Sequence, residues 1–302
     1  MIPFLDEDAV RAALRWETLI PALEQALIDF SAGRVLQPVR TSMHIREHRA
    51  FFGLMPAVYR DILGAKLVTV YPDNGARGLA THLAVIQLFR ADTGEPLAAM
   101  DGRLITEMRT AAVSALATRA LAPPDAHVLA ILGSGVQARA HLETLRLVRH
   151  FDEVRVWSRT PENARRFAEE TGARATSAED AVRGADVVAT VTNSGEPVLR
   201  GEWLKEGAHV NAVGAVGRTR RELDDRAMQE ALIVVDSREA AAQESGDVLI
   251  PGVGIDYELG ELLAGRSPAR RAHHTVFKSL GIAVEDLAAA RLVMENTTRT
   301  CS

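Results

Sequence analysis

The first rhythm in the chain is helical. Over residues 6 to 32, Leu19, Ile20, Leu23, Leu27 and Phe30 recur at three- and four-residue intervals, which predicts an amphipathic helix. From about Val39 to Leu88 the pattern changes to short runs, RTSMHI, AFFGLMPA, AKLVTVY and LAVIQLF, parted by turn residues; these predict strands. The alanine-rich TAAVSALATRALA predicts another helix, ended by PPD at residues 123–125, where two prolines and an aspartate cannot continue it. Beyond that break strand and helix alternate. HVLAILG, EVRVW, ADVVATV, HVNAVGAV and ALIVVD read as strands; QARAHLETLRLV, ENARRFAEET and a short segment after Ser177 read as helices. Such alternation implies a parallel sheet covered on both faces. The final GIAVEDLAAARLVMENTT is helical again, and can return to the N-terminal part.

Composition narrows the class. The chain of 302 residues is long enough for two domains or for one large α/β domain, and 47% apolar with 25% charged residues is ordinary for a globular enzyme. A formal charge of −5 argues against a nucleic-acid partner, which shows as a basic excess. Cys301 stands alone, so neither an internal disulfide nor a thiolate metal cluster is available, and a reducing compartment fits. MIPFLDEDAV has no basic start and no signal-like apolar core, and no run approaches the ~20 apolar residues of a membrane span. The expectation is a cytoplasmic protein without a membrane partner.

The chemistry starts at ILGSGVQARAH. Gly133, Gly135 and Ala138 form a G-x-G-x-x-A pattern, after a predicted strand and opening a predicted helix. The first glycine permits the turn, the second lets backbone approach a pyrophosphate, and the small third residue lets helix and strand pack. Val136 and Gln137, at the helix start, join the expected cofactor site, because free N–H groups there face the phosphates. About 20 residues on, the second strand ends where an acidic residue would bind the ribose 2′-hydroxyl of NAD. Here stand Ser158, Arg159 and Thr160. A guanidinium matches a phosphate and a carboxylate would repel one, so NADP(H) is expected over NAD(H). The competing possibility is that Arg159 points to solvent while Thr160 only caps the helix that begins at Pro161.

Other motifs point less far. HIREH, residues 44–48, has the spacing of a zinc peptidase motif, but that motif needs a helix and these neighbours alternate like a strand. A hairpin edge and no metal are expected. His273 and His274 read as a solvated pair. Three basic residues interrupt otherwise apolar structure: Arg40 opens a strand, Lys66 begins KLVTVY, and Arg109 breaks an Ala/Val/Leu-rich helix. Singly each is an ordinary surface charge or ion-pair partner; together they suit an anionic substrate such as a carboxylate.

With these residues in hand, the chain resembles the ornithine cyclodeaminase/mu-crystallin family, and within it the mu-crystallin-like, ketimine-reducing branch. The resemblance runs nearly end to end. It rests on QPVRT, KLVTVY, MDG and RTAAVSALAT, then LGSGVQA, GEWLKEGAHVNAVGA, RELDD, DSREAAAQESGDVL and TVFKSLGIAVED, all in one order. It implies an α/β fold: a Rossmann NAD(P)-binding domain, residues 121–282, inserted in a smaller α+β substrate and dimerisation domain, residues 1–120 plus 283–302. A homodimer is implied as well. By position, Arg40, Lys66 and Arg109 match the residues that hold a substrate carboxylate, with Lys66 best suited to assist protonation. Val213 and Gly214 of NAVGA, together with Thr192, match the nicotinamide surroundings, and His82 and Val216 the pocket wall. Val216 departs from the pattern, because cyclodeaminases carry an aspartate there and mu-crystallin a serine. Valine can neither move a proton nor bind an ammonium group. The implied activity is therefore reduction of a 2-imino acid, cyclic or linear, to an L-amino acid. Ornithine cyclodeamination and non-catalytic, NADPH-dependent ligand binding remain as alternatives.

Overall fold

The computed structural model describes residues 2–268 and 272–300; Cys301 lies outside them. The chain divides into two compact units, Met1–Arg109 with Gly281–Ser302, and Thr110–Leu280. The sequence placed the breaks at 120/121 and 282/283; the first observed break falls inside the helix Arg103–Leu121 instead of at the prolines after it. A helix can be continuous in hydrogen bonding and still give its two halves to different cores.

Among its described residues the first unit holds a six-stranded sheet. It is an antiparallel meander, Thr41–Ile45, Ala50–Tyr59, Ile62–Val70, His82–Arg90 and Pro96–Asp101, edged by Phe4–Leu5 running parallel to the last strand. The four expected strands are all present. Pro96–Asp101 went unread because PLAAMD is short and opens on proline. The single N-terminal helix is two, Glu7–Ala13 and Trp16–Ser31, because Leu14 and Arg15 take extended backbone between them. Asp6 starts the first by accepting from Ala9 N at 2.9 Å. One sheet face is covered by Ala283–Thr300, which lies across Ala50–Tyr59, Ile62–Val70 and His82–Arg90, with the two N-terminal helices against it. The other face carries Met43, Leu54, Leu63, Leu67, Leu83 and Val85, all exposed.

The second unit is a parallel sheet of eight strands among its described residues. Its order is Tyr257–Glu258, Ala231–Val235, His274–Lys278, His209–Ala212, Val187–Thr190, Val128–Leu132, Glu153–Trp157, Arg174–Ala175. This is the expected doubly wound arrangement. The chain starts in the middle at Val128–Leu132, moves outward one way through Glu153–Trp157, then crosses back to Val187–Thr190 on the other side. That reversal creates a crevice at the carboxyl ends of two adjacent strands, where such sheets bind ligands. The strands end in register: Leu132 pairs with Trp157 and Thr190, Thr190 with Ala212, and Ala212 with Lys278.

His274–Lys278 corrects the reading of His274 as a solvated residue. It opens a central strand, is 1% exposed, and its Nε2 lies 2.7 Å from the Ala227 carbonyl. HTVFK has only five residues and begins on a histidine that follows another, so its pattern resembled a loop. HIREH is a hairpin, with His44 on Thr41–Ile45 and His48 in the connecting turn. Among the described residues no His, Cys, Asp or Glu group has the geometry of a metal site. No described helix is long and apolar enough to cross a membrane.

Candidate active site

In the first unit the basic residues converge on two carboxylates. Lys66 alternates inward on Ile62–Val70, in register with Met55 on one side and Ile86 on the other, so its stem is surrounded by apolar side chains. Its ammonium lies 2.7 Å from Asp286 Oδ2. Arg109 reaches the same carboxylate, Nε donating to Asp286 Oδ1 at 3.0 Å, and donates from Nη1 to Glu285 Oε2 at 2.8 Å. All four side chains are buried. Arg40 joins through Nη2, which donates to the Gly281 carbonyl at 2.8 Å. Gly281 itself must lack a side chain: its φ is +72°, and a Cβ would stand 2.1 Å from Arg109 Nη1.

Burial pushes the Lys66 ammonium down to about 8, with Asp286 resisting and Arg109 and Arg40 adding to the fall. Burial acts the other way on Asp286, but the Lys66 and Arg109 charges prevail and hold its carboxyl below the usual range. His82, on the same sheet face as Lys66, is pushed down to about 4 by burial and then by the Lys66 and Arg109 charges; it is neutral near pH 7. Three cations and two carboxylates leave this group of five formally at +1, the complement of a monocarboxylate.

In the second unit the expected cofactor residues follow the aligned strand ends. Gly133 comes directly after Leu132, with φ +128°, and a Cβ there would meet the Val191 carbonyl at 2.8 Å. Gly135 is the N-cap of the helix Val136–Val148, which has no side-chain cap, and a Cβ on it would meet nothing within 4 Å. Ala138 is fully buried beneath it, as close helix–strand packing requires. A closed first glycine, open space over the second and uncapped N–H groups behind it fit a dinucleotide pyrophosphate. Gln137 is half-buried and Val136 exposed. Ser134 Oγ donates to Ser158 Oγ at 3.0 Å, which ties this loop to the tip of the neighbouring strand. Beside Ser158, Arg159 and Thr160 are exposed, and Thr160 stands at the N-cap of Pro161–Thr171 without a side-chain capping bond. Capping therefore does not occupy its hydroxyl. Thr192, Val213 and Gly214 lie past the next two strand ends, and Val216 is half-buried in the loop that continues from them.

The sequence reading missed Glu285 and Asp286, although AVEDLAAARLV carried a signal. An acidic pair inside an apolar helical run is as anomalous as the lysine and arginine that were noticed. It missed Glu222 as well, for a better reason: RRELDD looks like a solvated charge cluster, yet Glu222 is fully buried.

Residues 3–300 match the ornithine cyclodeaminase/mu-crystallin family. Rat ketimine reductase mu-crystallin is 51% identical over 302 residues, covering 97% of this chain and 96% of its own. The Thermococcus litoralis Δ1-pyrroline-2-carboxylate reductase, solved with NADH and L-proline, is 36% identical and superposes with a TM-score of 0.94 over 99% of this chain and 98% of its own. An archaeal alanine dehydrogenase dimer with bound NAD is 32% identical, with a TM-score of 0.93 over 100% of this chain and 97% of its own. The chain binds a nicotinamide dinucleotide and belongs to the ornithine cyclodeaminase/mu-crystallin family.

Proposed function

We propose that this protein reduces the C=N bond of a 2-imino acid, cyclic like pyrroline- or piperideine-2-carboxylate or linear, to an L-amino acid, with NADP(H) preferred. The observation that carries this is the buried cluster of Lys66 and Arg109 on Asp286 and Glu285, with Arg40 beside it. Arg40 and Arg109 hold the substrate carboxylate by charge-assisted hydrogen bonds. When bound, reduced nicotinamide would supply the hydride that the imine carbon takes up. Lys66 supplies the proton that the imine nitrogen needs, and Asp286 keeps its ammonium oriented. His82 is neutral and Val216 apolar, so neither adds charge, and the absence of an acid at Val216 disfavours cyclodeamination. The rat and archaeal relatives, both named as reductases of such imines, support the same chemistry. The uncapped Thr160 hydroxyl and the exposed Arg159 support the 2′-phosphate site. A cytoplasmic location agrees with the single cysteine and with the use of NADPH.

The test is steady-state reduction of pyrroline-2-carboxylate by NADPH as a function of pH. Lys66 must be protonated to donate, and its protonated fraction falls as pH rises through about 8. We therefore expect kcat/KM to be level below pH 8 and to drop about tenfold per pH unit above it. No cofactor oxidation across a panel of imino acids would reject the activity, and a flat alkaline limb would reject Lys66 as the donor.

The same proposal includes a homodimer built on the uncovered sheet face. Leu54, Leu67 and Val85 are register partners across three strands and stand 37%, 39% and 39% exposed, an apolar row that a soluble monomer does not leave wet. The dimeric alanine dehydrogenase supports this state. Leu67→Glu would place one carboxylate from each copy in the interface, doubling the penalty by symmetry. Sedimentation velocity at micromolar concentration should show a dimer for the parent chain and a folded monomer for the variant. A variant that sediments as a dimer would place the interface elsewhere.

A further inference from the structure

Glu222 has no solvent exposure, and the reaction outlined above makes no use of it. Both of its oxygens are engaged at the carboxyl ends of two adjacent strands. Oε1 accepts from Thr192 N at 2.7 Å and from Thr192 Oγ1 at 2.6 Å. Oε2 accepts from Thr190 Oγ1 at 2.9 Å, Gly214 N at 2.7 Å and Ala215 N at 3.2 Å. One carboxylate thus ties the loop after Val187–Thr190 to the loop after His209–Ala212. The fit is close enough that a Cβ on Gly214 would lie 2.1 Å from the Thr192 carbonyl and 2.7 Å from Glu222 Oε1.

The residue is itself held from behind. The amides of Glu222 and Leu223 donate to Asp247 Oδ1 at 2.9 and 3.0 Å, and Asp247 Oδ2 pairs with Lys278 Nζ at 3.1 Å. Lys278 Nζ closes the circuit by donating to the Ala215 carbonyl at 2.6 Å. Asp247 and Lys278 are fully buried as well. Burying two carboxylates and one ammonium is costly, and a fold that needed only stability would do as well with apolar side chains here. What the network delivers is a fixed shape for the two loops.

We propose that Glu222 is a positioning residue for the nicotinamide half of the cofactor. It sets residues 190–192 and 213–215 in the form that receives the ring, without touching the ring itself. This rests on the assignment of residues 211–215 to the nicotinamide surroundings. The chemistry of the donors makes it testable by one atom. Thr192 N, Gly214 N and Ala215 N can only donate, and they address both oxygens. In Glu222→Gln either orientation of the amide therefore turns an NH2 group toward a backbone N–H. The change preserves volume and destroys the tie.

The experiment compares the parent chain, Glu222→Gln and Thr190→Val, which removes only one hydroxyl donor. Titration calorimetry gives the affinity for NADPH and for adenosine 2′,5′-bisphosphate, which has the adenosine and its phosphates but no nicotinamide; steady-state assays give kcat and KM for pyrroline-2-carboxylate. For Glu222→Gln we expect unchanged adenosine bisphosphate binding, about tenfold weaker NADPH binding and a kcat lower by at least about tenfold. Thr190→Val should move the same quantities in the same direction by about threefold, and carries the test if Glu222→Gln does not fold. Equal weakening of both ligands, or no change in either ligand and in kcat, overturns the proposal. If NADPH bound to the parent chain shows no change in nicotinamide fluorescence, the assignment of residues 211–215 fails, and the proposal falls with it for that separate reason.

Discussion

Arg109→Ala is expected to lower kcat/KM for imino acid reduction by about 10³ or more, while NADPH affinity stays within about twofold. The catalytic part follows from what the guanidinium does. It reaches both Asp286 and Glu285, at 3.0 and 2.8 Å, and it is one of three positive charges that make the group cationic. Without it the formal balance of the five named groups falls from +1 to 0, and the proposed carboxylate anchor loses one of its charged donors. Lys66 loses part of its orientation at the same time, because Asp286 is no longer held from its other side. The variant also leaves two buried carboxylates with one close cation fewer, which costs about 3–5 kcal/mol. That is a large share of a typical folding free energy of roughly 5–15 kcal/mol, so the variant is measured well below its lowered melting temperature. Arg109→Lys separates the two losses. It restores the charge without the planar two-armed donor, so it should recover stability more fully than activity. Turnover within tenfold of the parent in a folded Arg109→Ala protein would remove Arg109 from the anchor.

Those residues show how far a sequence can be read. The doubly wound sheet was legible because long alternating strand and helix patterns identify themselves, and its glycine pattern gave the expected phosphate end of a cofactor site. Lys66 and Arg109 were legible as anomalies, charges where apolar periodicity predicted none. Their partners were not, because Asp286 lies 177 residues from Arg109, and pairing over that span is decided by the last helix returning to the first unit's sheet. The same gap explains the break inside Arg103–Leu121, since local pattern defines a helix but only packing decides which core each half joins. Glu222 was hidden differently. Its neighbours in RRELDD are charged, and burial of that one glutamate depends on two loops whose meeting is a property of strand register.

The largest effect expected in the second unit is a reversal of cofactor choice. Arg159→Asp should weaken NADPH by about 10²–10³ and leave NADH unchanged or slightly improved. The substitution changes the local charge by two units at the strand tip, turning attraction for a 2′-phosphate into repulsion. An aspartate there can accept from a free ribose 2′-hydroxyl, which is the arrangement that selects NAD. Arg159 is exposed, so its contribution is partly screened and depends on salt; over a Debye length of about 10 Å at 0.1 M the preference should narrow as ionic strength rises. The residual preference is expected to rest on Ser158 and Thr160. Ser158 already accepts from Ser134, while the Thr160 hydroxyl makes no capping bond, so Thr160→Val should cost NADPH more than Ser158→Ala does. Measuring kcat/KM for both cofactors at two salt concentrations checks all of this at once. Equal loss for NADPH and NADH would mean that Arg159 supports the fold of the loop and reads no phosphate, and a salt-independent preference would move the reading to the two hydroxyls.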